Sequence, residues 1–166
     1  MRCWRKNKVH PVFAGLASLV VLVGAARATA AEVVSVKPPG AILATAGQDA
    51  LAVIQVAVKH GYHVQANPVR NPSLIPIVLD VKADRTVVPG SPIYPSAKTM
   101  RLDGSEEDLV VYDGTFVVQL PLKIAPDAQR GRVTLNGTLR YQACDDRHCL
   151  FPVTLPVKLV VQVGGQ

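Results

Sequence analysis

The residue types in this chain best able to do chemistry lie in Tyr141-Gln142-Ala143-Cys144-Asp145-Asp146-Arg147-His148-Cys149. Two cysteines with four residues between them, followed by Leu150-Phe151-Pro152, would face each other across a tight hairpin. There a Cα–Cα separation of about 5.5 Å permits a disulfide. Three chemistries fit. The first is a structural clip, the default for an even pair of cysteines in an exported protein. Against it, so short a loop constrains the unfolded chain little, and a domain of about 136 residues buries a sufficient core unaided. The second is zinc, from Cys144, His148 and Cys149 with a distant fourth ligand such as His63. One histidine beside Cys-x4-Cys matches the paired spacings of structural zinc sites poorly. The third is a redox-active dithiol. Arg147 and His148 would favour a thiolate while Asp145 and Asp146 oppose it, so the thiol pKa is left open. On spacing alone the clip leads, the dithiol follows and zinc comes last.

The segments that must position this pair read as strands. Apolar residues alternate at Ile54, Val56 and Val58 within 51–59, and at Ile77, Leu79 and Val81 within 76–82. Alternation recurs at Phe116, Val118, Leu120, Leu122 and Ile124, at Val133, Leu135, Leu139 and Tyr141, and at Leu155, Val157, Leu159, Val161 and Val163. A period of two marks antiparallel strands with one buried face. No segment sustains an apolar period of 3.6. A short run over 32–37 stops at Pro38-Pro39-Gly40, and Tyr62-His63-Val64 opens a strand that ends near Asn67-Pro68. Seven to nine such strands make an all-β protein, an antiparallel β-sandwich of immunoglobulin-like architecture. The three prolines of 67–76 predict an extended connection, and the acidic 102–112 stretch a solvated hairpin loop.

The chain has 166 residues and a formal charge of +6, from 18 Lys and Arg against 12 Asp and Glu. That charge is concentrated at one end. Arg2, Arg5, Lys6, Lys8 and Arg27 fall in the first 30 residues, which carry no acid. Residues 12–26 are uncharged, too few to cross a bilayer as a helix, which takes about 20. Ala28-Thr29-Ala30 then offers small residues at −3 and −1. A basic segment, an apolar segment and a small-residue site make a cleavable secretory signal peptide over 1–30, with a domain over 31–166. Cys3 and Trp4 leave with it. The remainder is nearly neutral at +1 and keeps two cysteines. Its basic residues are scattered with no aromatic stripe, which argues against nucleic acid. A mature protein in the periplasm that does not span the membrane is expected.

The segment YQACDDRHCLFP closely resembles the active-site hairpin of the N-terminal periplasmic domain of the thiol:disulfide interchange protein DsbD family. Gly61-Tyr62-His63-Val64-Gln65-Ala66-Asn67-Pro68 resembles that family's GYHVNANP segment. Leu74-Ile75-Pro76 and Val111-Tyr112-Asp113-Gly114 fall where similar pieces occur, so the likeness runs from about Val33 to Val163. It implies an immunoglobulin-like sandwich that exchanges disulfides with proteins and uses no bound cofactor or metal. Electrons would arrive from a thioredoxin-like or membrane donor and leave to a periplasmic disulfide isomerase or cytochrome-maturation thioredoxin. Because the chain stops at Gln166, that donor is expected on a separate chain. Cys144 and Cys149 would be the dithiol, Cys149 attacking and Cys144 resolving. A cap loop matches Leu102 to Asp108, including Asp103, Gly104, Glu106 and Glu107, but lacks the aromatic residue that tips it in better-known members. Tyr62 and His63 would line the site. The alternative is a non-catalytic exported binding module whose disulfide only ties a hairpin.

Overall fold

The computed structural model describes residues 32–101 and 107–164. The expected signal peptide and the loop residues Asp103, Gly104 and Glu106 lie outside them. The strands are β1 (Val34–Lys37), β2 (Ile42–Thr45), β3 (Asp49–Val58), β4 (His63–Gln65), β5 (Val78–Val81) and β6 (Val87–Pro89). They continue with β7 (Lys98–Arg101), β8 (Asp108–Tyr112), β9 (Thr115–Ile124), β10 (Gly131–Tyr141), β11 (Ala143–Cys144) and β12 (Val153–Gly164). No helix occurs among the described residues, and none is long and apolar enough to cross a membrane.

The four longest strands, β3, β9, β10 and β12, follow the alternation of their sequences. In β9, Val118, Leu120, Leu122 and Ile124 are buried while Thr115, Val117, Gln119 and Lys123 are exposed. The burial of β3 is equally periodic through Ala52, Ile54, Val56 and Val58. These strands form a sheet of order β1-β3-β9-β6, and a second sheet runs β2-β12-β10-β5. The inward residues of both sheets belong to one apolar cluster that includes Ile54, Leu120, Leu135, Leu139 and Leu159, each at most 1% exposed. Burying a side chain of this size removes enough apolar surface to contribute about 1.5–3 kcal/mol. Two sheets sealed face to face over such a layer make the sandwich that the alternation implies.

Four features depart from the sequence expectations. Twelve strands are present among the described residues rather than seven to nine, because the additional ones are two to five residues long and too short to show a period. One pairing is parallel, β2 against the end of β12. Pro38 and Pro39 lack the N–H needed to continue β1 along β3, so the chain crosses to the other sheet at that point. The stretch 102–112 is not all loop: its second half is β8, with Leu109, Val111 and Tyr112 buried. Similarly, 67–76 contains bends and a turn in which the Leu74 N–H donates to the Asn71 carbonyl, rather than running fully extended. Gly137 has a steric role in β10. A Cβ there would stand 2.4 Å from the Asp80 carbonyl oxygen, so only glycine lets β5 lie this close.

The third sheet, of order β11-β4-β8-β7, carries the cysteines. It is fed from the second sheet. β10 and β12 pair over eleven positions, from Gly131 opposite Val163 to Tyr141 opposite Val153. Beyond Tyr141 the chain steps through Gln142 into β11, turns, and returns through Pro152 to begin β12. The hairpin is thus the tip of the longest ladder in the fold.

Candidate functional site

The local sequence dictates the hairpin turn. Asp145 Oδ1 accepts hydrogen bonds from the backbone N–H groups of Arg147 (2.8 Å) and His148 (2.6 Å), a short acidic side chain closing its own turn. The Asp145 N–H donates to the His148 carbonyl at 2.9 Å and the Leu150 N–H to the Ala143 carbonyl at 2.8 Å. Gln142 Nε2 donates to the Leu150 carbonyl at 3.0 Å and braces the base. The N–H groups of Arg147 and His148 hold the Asp145 carboxyl below its ordinary range.

Cys144 and Cys149 then fall opposite each other in an antiparallel bridge and are joined by a disulfide with a Cα–Cα distance of 3.9 Å. That is closer than the 5.5 Å expected from the sequence. The pair sits next to the hydrogen-bonded Asp145–His148 position, and facing residues that exchange no backbone hydrogen bonds approach more closely. The two halves of the bridge have different surroundings. Cys144 is 0% exposed, whereas Cys149 is an exposed residue on the returning arm. Phe151, two residues beyond Cys149, is 91% exposed, and Leu150 and Val153 are also exposed.

Beneath Cys144 lies β4. His63 is its direct cross-strand partner and Val64 faces Ala143. Every residue of β4 is buried, including two polar ones, His63 at 2% exposure and Gln65 at 0%. Gln65 Nε2 donates to Cys144 Sγ at 3.7 Å. His63 Nε2 and Gln65 Oε1 have no hydrogen-bond partner. Burial lowers the His63 pKa below its ordinary value, opposed by the carboxylates of Asp113 and Asp145. Gly61, at φ +83°, turns the chain from β3 into this strand. Tyr62 is half-buried against the core.

An open cavity of about 640 Å³ runs beside the hairpin, lined by Tyr62, His63, Arg101, Asp113 and Asp146 among others. Its rim is held by ion pairs from β7 and its neighbours, Lys98 with Asp113 and Arg101 with Asp108.

The structure therefore joins Cys144 to Cys149 and sets His63 opposite Cys144, while Tyr62 lines the cavity beside the hairpin. Arg147 and His148 are exposed in the turn, with their N–H groups directed at Asp145. Glu107 is exposed and accepts a hydrogen bond from Asn71 Nδ2 at 3.1 Å, facing the 67–76 connection. Gln65 and Phe151 had no role in the sequence reading. The signal for Gln65 was its position two residues after His63, which puts both on one side of a strand. Polar residues at that spacing imitate a solvent face.

A family description, thiol:disulfide interchange protein DsbD, N-terminal, matches residues 30–160. No curated protein matches the sequence. Among solved structures, the N-terminal periplasmic domain of ScsB from Proteus mirabilis is similar at 14% identity with a TM-score of 0.55. The match covers 80% of this chain and 47% of that one, so this chain spans about half the length of that structure. BcpA, the major pilin subunit of Bacillus cereus, aligns at 10% identity and a TM-score of 0.45, over 78% of this chain and 40% of that one. The ScsB likeness shows the immunoglobulin-like sandwich, and with the family match over most of the sequence, this chain belongs to the DsbD N-terminal family.

Proposed function

We infer that the protein is a periplasmic dithiol–disulfide carrier, exported by a signal peptide over residues 1–30 and working as the domain over 31–166. It passes electrons between a thioredoxin-like donor and a periplasmic acceptor such as a disulfide isomerase or cytochrome-maturation thioredoxin. The observation that carries this reading is the unequal exposure of the two cysteines. Exchange needs one sulfur that a partner can reach and a second close enough to leave and then return to release the mixed disulfide. A partner thiolate attacks Cys149 Sγ, the bond to Cys144 Sγ breaks, and the electron pair goes to Cys144. The partner's second thiol then attacks the mixed disulfide and releases Cys149, leaving the partner oxidised and the pair reduced. In the forward direction Cys149 is the attacking thiolate and Cys144 the resolving one.

Cys144→Ser should accumulate mixed disulfides with thioredoxin-fold proteins through Cys149, seen as reducible adducts by mass spectrometry, and Cys149→Ser should not. Adducts formed only by Cys149→Ser would reverse the roles. Adducts from neither variant would leave the bridge as a clip.

A further inference from the structure

Among the described residues, the only buried polar side chains are His63 and Gln65, and each has an unpartnered polar atom, Nε2 and Oε1 respectively. A buried polar atom left unpaired is destabilising and calls for an explanation. Their location suggests one. Both lie on one side of β4, His63 directly opposite Cys144 and Gln65 already hydrogen-bonded to its sulfur. Facing residues on paired strands have Cβ atoms about 4.5–5.5 Å apart, and diagonal ones remain within reach of long side chains. In the disulfide the Cys144 sulfur has no proton to offer. In the dithiol it has one, and S–H is a donor. The imidazole is suited to accept it, since burial favours its neutral form against the opposing pull of Asp113 and Asp145.

We propose that His63 Nε2, in the Nδ1–H tautomer, accepts the single Cys144 S–H proton after the bridge opens while Gln65 Nε2 keeps its hydrogen bond to the same sulfur, so that this pocket favours the dithiol over the disulfide. The inference rests on the exchange reading above and adds a bias to it. The balance is that of the exchange step. Two electrons pass from the partner dithiol to the pair, the Sγ–Sγ bond breaks, and the partner's own disulfide forms. The proton gained by Cys144 Sγ replaces one that the partner's thiols release. His63 and Gln65 are positioning residues: His63 accepts a hydrogen bond from the thiol, Gln65 donates one to its sulfur, and neither is consumed.

The test is the equilibrium of the full protein with a glutathione series, for wild type, His63→Phe, Gln65→Met and the double variant, with thermal unfolding of each in both redox forms. His63→Phe should shift the equilibrium toward the disulfide by about tenfold, which for a two-electron couple is about 30 mV, and Gln65→Met by less, because its hydrogen bond to the sulfur is present in the disulfide as well. The oxidised His63→Phe form should melt no lower than wild type, because an unpartnered buried nitrogen has been removed, and its reduced form should melt lower. Unchanged equilibria, or equal losses of stability in both redox forms, would overturn the proposal. Should a variant fail to fold, 15N spectra of the wild-type imidazoles decide. The His63 Nε2 resonance should move on reduction as it accepts a hydrogen bond, and an unmoved resonance contradicts the assignment. A bridge that exchanges normally at one potential in every variant refutes only this inference. A bridge that never exchanges refutes the carrier itself.

Discussion

At the scale of single residues, the site is a set of opposed environments a few ångströms apart. Cys149 meets solvent and Cys144 does not, and under Cys144 a histidine and a glutamine are buried without full hydrogen-bonding. The pairing of the cysteines was legible from their spacing, whereas their exchange role and the place of His63 at the site came from the family resemblance of the hairpin and of the 61–68 segment. Gln65 was not legible, because a sequence gives the parity of a strand without saying whether a second layer covers its polar side. His63 also makes a prediction about pH. Its pKa is lowered by burial, so below about 6.5, the ordinary histidine value, the unfolded chain binds protons that the folded chain resists. Stability is therefore complete above that value and falls as the pH drops through it. Urea midpoints measured at pH 8 and pH 5 should fall more for wild type than for His63→Gln, which keeps a polar group and removes the titration. Equal falls would assign the acid sensitivity elsewhere.

At the scale of elements, the hairpin derives its position from the eleven-pair ladder of β10 and β12, whose inward residues Leu135, Leu139, Val157 and Leu159 anchor it in the core. The long strands were legible because their burial is one-sided. Of the third sheet only β4 was legible, from Tyr62-His63-Val64, because β7 and β11 are two to four residues long and β8 begins in an acidic stretch, and they gain stability from neighbours distant in sequence. The returning arm carries an apolar ledge of Leu150, Phe151 and Val153 immediately beyond Cys149. A partner whose sulfur bonds to Cys149 must cover this ledge, and an exposed aromatic gives it area to bury. Phe151→Ser should slow reduction by a thioredoxin dithiol about tenfold or more, on the scale of an interface residue that costs over 1 kcal/mol when truncated. Reduction by dithiothreitol should be unchanged, since a small thiol needs no ledge. Stopped-flow kinetics with the two reductants separate these outcomes, and an equal effect on both would show that the residue acts on the bridge itself.

At the scale of the whole molecule, the sandwich stands on its apolar core and is independent of the bridge. The disulfide joins residues five apart that already face each other across a backbone turn. In the chain-entropy picture so short a loop is at the low end of disulfide stabilisation. That separation leaves the bridge free to open and close while the fold persists, which is the condition a carrier must meet. The formal +6 of the full chain has its source in the first 30 residues, and the remainder is close to neutral, in keeping with a protein that meets other proteins and not a polyanion. The most direct test is equilibration of the purified protein against graded glutathione and dithiothreitol buffers, with the bridge read by thiol labelling and the fold by circular dichroism. The account predicts that the Cys144–Cys149 bridge opens between about −270 and −180 mV, the span from thioredoxin to protein disulfide isomerase, with the strands intact throughout. A bridge that stays closed to below about −300 mV, as structural disulfides do, would contradict it.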